Sequence, residues 1–399
     1  MPALPLADLA ALREAWLTNL TAELPAARNL RERIHAAPHL SGDEEATALL
    51  LEDALDLRME RIAQTGRIGR IGPAGGPSVM LRAEMDALPV EEATGAPYAS
   101  TNGAMHACGH DVHMAALVAC VRAARGLDLP VGLVPLLQPR EEAPPHGAYD
   151  VVSSGVLDEH QVGVSVGAHV HAAVPLGSVS TGGGVVNAAA DSFHITVHGS
   201  GGHGAYPHTG NDVMAAVATI ALGLQDVVRK VVNPMRPVVL TVGHLEAGPD
   251  ADNVLPEDGR IRGTLRTVDA DDRARVQDAV RLHALRIAEA FGVRAEVSHT
   301  RGMPVLANDE RLVGFTDRWL MESGIRAAEP MRSMGADDFS FFTDRMPGLM
   351  AFVGTRPLDG EGGPGLHDAR FLPPAEVIGT MARTLVAGYL GGVQVLAEG

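Results

Sequence analysis

Five potential metal ligands lie within one short stretch, MHACGHDVH: His106, Cys108, His110, Asp111 and His113. Imidazole, thiolate and carboxylate together suit zinc or another borderline transition metal. The small neighbours Ala107 and Gly109 let the backbone turn so that alternate side chains converge on one point. A buried thiol beside a stray imidazole is the plainer alternative, but the crowding argues against it. Histidine and aspartate are rarely buried unpaired, and hydrogen bonds alone would hardly satisfy so many in so few positions. Not all five fit as ligands. His113 opens an apolar helix and fits a core histidine, while Asp111 fits a carboxylate that accepts the ring N–H of a ligand imidazole.

Further acids and imidazoles recur downstream. Glu141 and Glu142 follow the apolar run VGLVPLLQ. A solvated pair at a loop start is the ordinary reading of two adjacent glutamates. At a strand end in an α/β protein they can divide the labour, one holding metal and the other taking a proton from water. Glu84 and Asp86 end the run VMLRAEM; they fit turn chemistry ahead of Pro89, or, for Asp86, the orientation of a ligand histidine. His169 and His171 share a face at the end of VGVSVGAHVH, with His169 the better ligand. His367, in PGLHDAR, has no periodic core context. His203 and His208 project from the glycine-rich loop GSGGHGAYPHTG, which is otherwise a mobile surface loop. It has no GK[ST], so it is not a phosphate loop. Asn253 and Arg266 are polar outliers beside apolar residues and fit a substrate carboxylate or carbonyl, or else an ordinary turn and a solvated strand.

These residues need a scaffold. Leu9 to His35 has helical spacing. Ser41 to Asp56 follows as a second helix, with Ser41 as N-cap and Glu44 completing a capping box. PSVMLRAEM, VGLVPLLQ and VGVSVGAHV read as strands, with an apolar helix from His113 to Arg125 between the first two. This alternation predicts an α/β fold with a mainly parallel sheet, its His and Glu clusters at the C-terminal strand ends where such sheets bind ligands. After STGGGVVN the pattern becomes β-α-β-β-α-β, a ferredoxin-like α+β unit. The expected domains are 1–185 and 301–399 for the catalytic α/β/α part, and 186–300 for the inserted unit. The inserted sheet has an uncovered edge open to a second copy.

Bulk composition narrows the function. A length of 399 residues allows two or three domains. A formal net charge of −17 disfavours nonspecific nucleic acid or an anionic membrane as partner. Two cysteines cannot make a disulfide framework, and Cys120, in AALVACVRAA, reads as a small buried hydrophobe. No stretch approaches the roughly eighteen apolar residues of a membrane span. With no basic leader and apolar core in MPALPLADLAALREAW, the cytoplasm is the expected location.

The motifs RAEMDALPVEE, MHACGHDVHMAAL, QPREE, HGSGGHGAYPHTG, DNVLP, GADDFSFF and GLHDARF, in this order, resemble the dinuclear metal aminoacylase and carboxypeptidase family. The nearest resemblance is to its branch of hippurate hydrolases and indole-acetyl-amino-acid conjugate hydrolases, and it runs from about Leu30 to Tyr389. The resemblance implies a catalytic α/β domain with an inserted lid that also dimerises. It implies two divalent ions per subunit, Zn²⁺, Mn²⁺, Co²⁺ or Ni²⁺, at Cys108, His110, Glu142, His169 and His367. Glu141 matches the general base, Asp86 the supporting carboxylate, and His203 the lid histidine that polarises the scissile carbonyl. Asn253 and Arg266 match substrate-binding lid positions, and His208 joins them as a candidate. The sequence departs from the family's usual form in Glu84 for aspartate, APPHGA after Glu142, Asp337 in GADDFS, and HDARF after Leu366. The implied activity is hydrolysis of N-acyl amino acids by a homodimer or homotetramer. A dipeptidase or carboxypeptidase, a diaminopimelate-type deacetylase, and a noncatalytic dimeric binding protein are the alternatives.

Overall fold

The computed structural model describes residues 5–358 and 362–398. The chain divides into two compact units: Met1–Val186, Ala307–Met331 and Asp338–Gly399 form the first, and Asn187–Leu306 with Arg332–Asp337 the second. The second unit thus also takes in Arg332–Asp337, a segment that the sequence places with the catalytic part.

The first unit is built on an eight-stranded mixed sheet. Its centre is four parallel strands in the order Gly132–Gln138, Ser78–Glu84, Val162–Pro175 and Gly348–Arg356. Strands covered on both faces read as continuous apolar runs rather than alternating ones, and every residue of Ser78–Glu84 and Gly132–Gln138 is buried. The helices Leu6–Ala36, His110–Ala123 and Val377–Glu398 pack together beside the sheet. Trp16 and Tyr389 meet edge to face with centroids 5.1 Å apart. Each donates to a backbone carbonyl, Trp16 to Cys120 at 2.9 Å and Tyr389 to Val131 at 2.7 Å, so neither polar end is buried unpaired.

One helix start differs from the sequence expectation. The second helix runs Glu45–Leu55, and Ser41 does not cap it. The Ser41 hydroxyl donates instead to Asp86 Oδ2 at 2.7 Å, and Glu44 accepts from Thr65 Oγ1 and from the Arg140 N–H at 2.9 Å. Tertiary acceptors outcompete the local cap.

The second unit is a four-stranded antiparallel sheet in the order Val238–Ala247, Asp258–Thr267, Ala189–His198 and Arg294–Arg301. With the helices Val213–Val231 and Ala270–Ala290 it follows the β-α-β-β-α-β order read from the sequence. Each helix is capped by the aspartate before it: Asp212 accepts from the Ala215 N–H and Asp269 from the Asp272 N–H, both at 2.9 Å. Alternation sends Phe193, Ile195 and Val197 inward and leaves Arg260, Arg262 and Thr264 exposed. Phe193 lies opposite Gly263, where a Cβ would sit 2.4 Å from the ring, so this position requires glycine.

Candidate metal centre

The residues of the first cluster are set by one turn and one close approach. Gly109 has φ +81°, and a Cβ there would fall 2.4 Å from Val170 Cγ2. Only glycine allows both this backbone conformation and this contact. The helix His110–Ala123 can therefore begin against the strand that carries His169. Cys108 Sγ lies 3.5 Å from His169 Nε2. Glu142 Oε1 lies 3.9 Å from His110 Nε2 and 3.5 Å from His367 Nε2. Five side chains from four segments thus meet at one place.

Their outer nitrogens are held by hydrogen bonds. His110 Nδ1 donates to the Asp86 carbonyl at 2.8 Å, and His169 Nδ1 to the Val170 carbonyl at 2.7 Å, so both rings turn Nε2 inward. Asp86 Oδ2 accepts from the Glu142 N–H at 2.9 Å as well as from Ser41. It thereby ties the carboxylate segment to the strand end beside His110. His367 has φ +68°, uncommon for a side-chain-bearing residue, and its N–H donates to the Ala107 carbonyl at 2.9 Å. Glu141 is buried and follows Arg140, which is itself at φ +52° and donates its N–H to Glu44.

The electrostatics favour a cation here. Burial opposes charge on His110, but hydrogen bonding to Asp86 and the carboxylates Glu84, Asp86 and Glu142 outweigh it and push the imidazole up to about 10. Burial, then Glu142 and Glu141, push the Cys108 thiol up. Burial and the neighbouring His113 hold His169 down, neutral and fit to ligate. His110 Nε2 and Glu142 Oε1 are buried without a hydrogen-bond partner. Orphaned buried polar atoms of this kind call for an explanation, and a divalent cation, displacing the proton on His110, supplies one. The donor set of thiol, imidazoles and carboxylate suits zinc and its neighbours in the transition series. Cys108, His110 and Glu142 offer ligand atoms all within 4.8 Å of one another.

Two residues of the histidine-rich motif do something else. His113 Nδ1 donates to Glu84 Oε2 at 2.9 Å, and its Nε2 accepts the Val170 N–H at 3.0 Å. Both nitrogens are used, so it braces the His169 strand. Asp111 does not support a ligand imidazole as the sequence suggested. It accepts from Arg31 Nε at 2.8 Å and His35 Nδ1 at 2.9 Å. Glu84, which the sequence offered as turn chemistry, is fully buried and paired with Arg82 and His113. Arg82 reaches Asp338 at 2.8 Å and Gln138 at 2.8 Å, closing a polar network beneath the site. Charges at alternate positions of an otherwise apolar strand, RAE, were its only sequence signal.

The remaining candidates lie in the second unit. His203 pairs with Val254 in a two-stranded ladder, and the Gly204 N–H donates to the Asn253 carbonyl at 2.6 Å, so His203 and Asn253 are neighbours. His203 Nδ1 accepts the Ala205 N–H at 3.0 Å, which fixes the neutral tautomer with its proton on Nε2. His208 is exposed on a short 3-10 turn, Pro207–Thr209. Arg266 is half-buried on the sheet, where burial lowers its pKa despite Asp191 nearby.

Comparison with known proteins accords with this geometry. Residues 80–387 match the peptidase family M20/M25/M40. The chain is 36% identical over 335 residues to N-acetyl-L-cysteine deacetylase of Bacillus subtilis, covering 82% of this chain and 79% of that protein. It is 32% identical over 358 residues to N-acetyldiaminopimelate deacetylase of Exiguobacterium sibiricum, covering 88% of this chain and 94% of that one. A solved structure of a dinuclear metal-binding peptidase of family M20 from Bacillus subtilis superposes with a TM-score of 0.82 at 28% identity, covering 94% and 99% of the two chains. A cation-seeking cluster of thiol, imidazole and carboxylate at the ends of parallel strands, in a chain so matched, makes this protein a member of the M20/M25/M40 hydrolase family.

Proposed function

We propose that this hydrolase cleaves the amide bond of N-acyl amino acids, such as N-acetyl or N-benzoyl forms, using two divalent ions drawn from Zn²⁺, Mn²⁺, Co²⁺ and Ni²⁺. The observation that carries the reading is the meeting of Cys108, His110, Glu142, His169 and His367, with His110 Nε2 and Glu142 Oε1 buried and unsatisfied. The named relatives that act on N-acetyl amino acids support the substrate class. Those five residues would hold the ions, which would supply Lewis acidity toward the scissile carbonyl and acidify the attacking water.

The rest is work for the protein's own groups. Glu141 takes one proton from the attacking water and passes it to the leaving nitrogen, so that a carboxylic acid and a free amine result. Asp86 keeps His110 and the Glu142 segment in register through its carbonyl and carboxylate. His203, with its proton on Nε2, donates to the carbonyl oxygen as negative charge develops there. Arg266, Asn253 and His208 bind the amino-acid portion, with the guanidinium matching its carboxylate. The edge strands of the second unit serve pairing with a second copy, giving a homodimer or a homotetramer.

Release of free amine from N-acetyl, N-benzoyl and aminoacyl amino acids tests this reading, using metal-stripped protein resupplied with each ion in turn. Metal-dependent turnover confined to N-acyl substrates supports it. Turnover of free-amine dipeptides alone moves the protein to the peptidase reading. Silence across the panel at full metal loading favours a noncatalytic binding protein.

A further inference from the structure

Arg31 and His35 are four residues apart on the helix Leu6–Ala36, so they share one face. Both are buried, at 2% and 1% exposure, an unusual place for two cationic side chains. Arg31 spans two segments. Its Nε donates to Asp111 Oδ2 at 2.8 Å, and its Nη1 donates to the Pro373 carbonyl at 2.7 Å. His35 spans two more. Its Nδ1 lies 2.9 Å from the same Asp111 oxygen and its Nε2 lies 3.0 Å from Glu92 Oε1. Both ring nitrogens face carboxylates, an arrangement that only the doubly protonated imidazolium satisfies. Two cations therefore face two anions. The other oxygen of Glu92 accepts the Ser100 N–H at 2.6 Å, fixing the loop that leads into the histidine-rich motif.

The segments tied together are those that carry candidate ligands. Asp111 directly follows His110, and Pro373 lies on the segment that continues from His367. Two backbone bonds join the same segments, His367 N–H to the Ala107 carbonyl at 2.9 Å and Ala93 N–H to the Ala369 carbonyl at 2.8 Å. Burying four charges contributes little stability beyond what an apolar cluster of equal volume would give. What such a network supplies is a defined geometry: Arg31 Nε and Nη1 and both His35 ring nitrogens find their partners in one arrangement only, while Arg31 Nη2 and Asp111 Oδ1 have none.

We propose that Arg31, His35, Asp111 and Glu92 are positioning residues for the metal centre. They brace the Cys108–His110 turn and the His367 segment against the first helix, so that the ligands from these distant segments arrive in one geometry. The proposal rests on the metal-centre reading given above.

The test is titration of full-length, metal-stripped protein with Co²⁺, followed by calorimetry and by the cobalt–thiolate charge-transfer absorption that reports Cys108. Measurements are made well below the unfolding temperature of every variant. Asp111→Asn and Arg31→Lys are expected to weaken Co²⁺ binding about 10- to 100-fold, the usual cost of losing a group that orients ligands, and to shift the absorption. Arg31→Lys keeps the charge but cannot reach both Asp111 and Pro373, so its failure to rescue marks geometry rather than charge. Leu20→Ala, a buried change on the same helix, is expected to lower the melting temperature and leave Co²⁺ affinity unchanged. If Asp111→Asn does not fold, His35→Gln takes its place with the same expectation. Wild-type affinity and spectrum in the network variants would overturn the proposal, as would an equal loss in Leu20→Ala. A wild-type protein that binds no Co²⁺ would overturn the metal-centre reading itself, and the proposal with it.

Discussion

Replacing Arg82 with methionine removes a guanidinium that serves two fully buried carboxylates. Arg82 is 1% exposed, and Glu84 and Asp338 are both at 0%. It pairs with Glu84 Oε1 and with Asp338 Oδ1, and donates to Gln138 Oε1. Removing one member of a buried ion network costs roughly 3–5 kcal/mol, because the partner charges remain in low dielectric. At about 2 °C per kcal/mol for a unit of this size, the first unit's melting temperature falls by ~6–10 °C. The loss reaches the site, since Glu84 holds His113 and His113 accepts the Val170 N–H beside His169. Differential scanning calorimetry of the wild type and Arg82→Met measures the first effect. The triple variant Arg82→Met, Glu84→Gln, Asp338→Asn removes the stranded charges and should recover most of the loss. A drop of less than about 2 °C in the single variant, well below the cost of a broken buried pair, would refute the reasoning. So would a triple variant less stable than the single.

Three further outcomes are expected. Ser41→Ala removes a hydroxyl donor from Asp86, costing about 1.5–3 kcal/mol as a charge-assisted bond; it should lower kcat more than KM, and an unchanged kcat would remove Ser41 from the site. Asp191 in the second unit accepts from Arg273, Gln277 and the Gly302 N–H, and these outweigh burial to hold its pKa below the usual carboxylate value. Its stabilisation is therefore complete above the unfolded value, about 3.9, and is lost as pH falls through the lower folded value; Asp191→Asn should flatten this acid limb in pH-dependent unfolding of the second unit, and an unchanged limb would count against the pairing. His203→Ala should lower kcat about 10²–10³-fold, the cost of one donor to a developing oxyanion, with metal content intact by elemental analysis, whereas loss of metal would place His203 in a different role.

Much of the scaffold was legible because its signals are local. The central strands lie buried on both faces and so appear as apolar runs, and the second unit's strands and amphipathic helices give its element order directly. Gly109 stands where a turn and a close approach both demand it. What brings Cys108, His110, Glu142, His169 and His367 to one place is the parallel order of the strands: Cys108 and His110 stand at a helix start, Glu142 lies just past a strand end, His169 sits within its strand, and His367 comes from a loop tied to the Ala107 carbonyl. The supports were harder to see. Ser41 looked like a helix cap because the sequence cannot show that Asp86 competes for its hydroxyl. Asp111 looked like a partner for a ligand imidazole because Arg31 and His35 lie far away in sequence. Their four-residue spacing on a helix was the single local hint. The Arg82 network is hidden for the same reason: apart from Glu84 on its own strand, its partners are Gln138 on a neighbouring strand and Asp338 on a distant segment.

The account's central claim is that Glu141 moves the proton in a metal-dependent amide hydrolysis. Glu141→Gln, purified with its metal counted and assayed for amine release from the best N-acyl amino acid, tests it most directly. The account predicts a loss of about 10²–10⁴-fold in kcat, the usual contribution of a positioned acid–base group, with wild-type metal content. Turnover within the wild-type range at that metal content would contradict it.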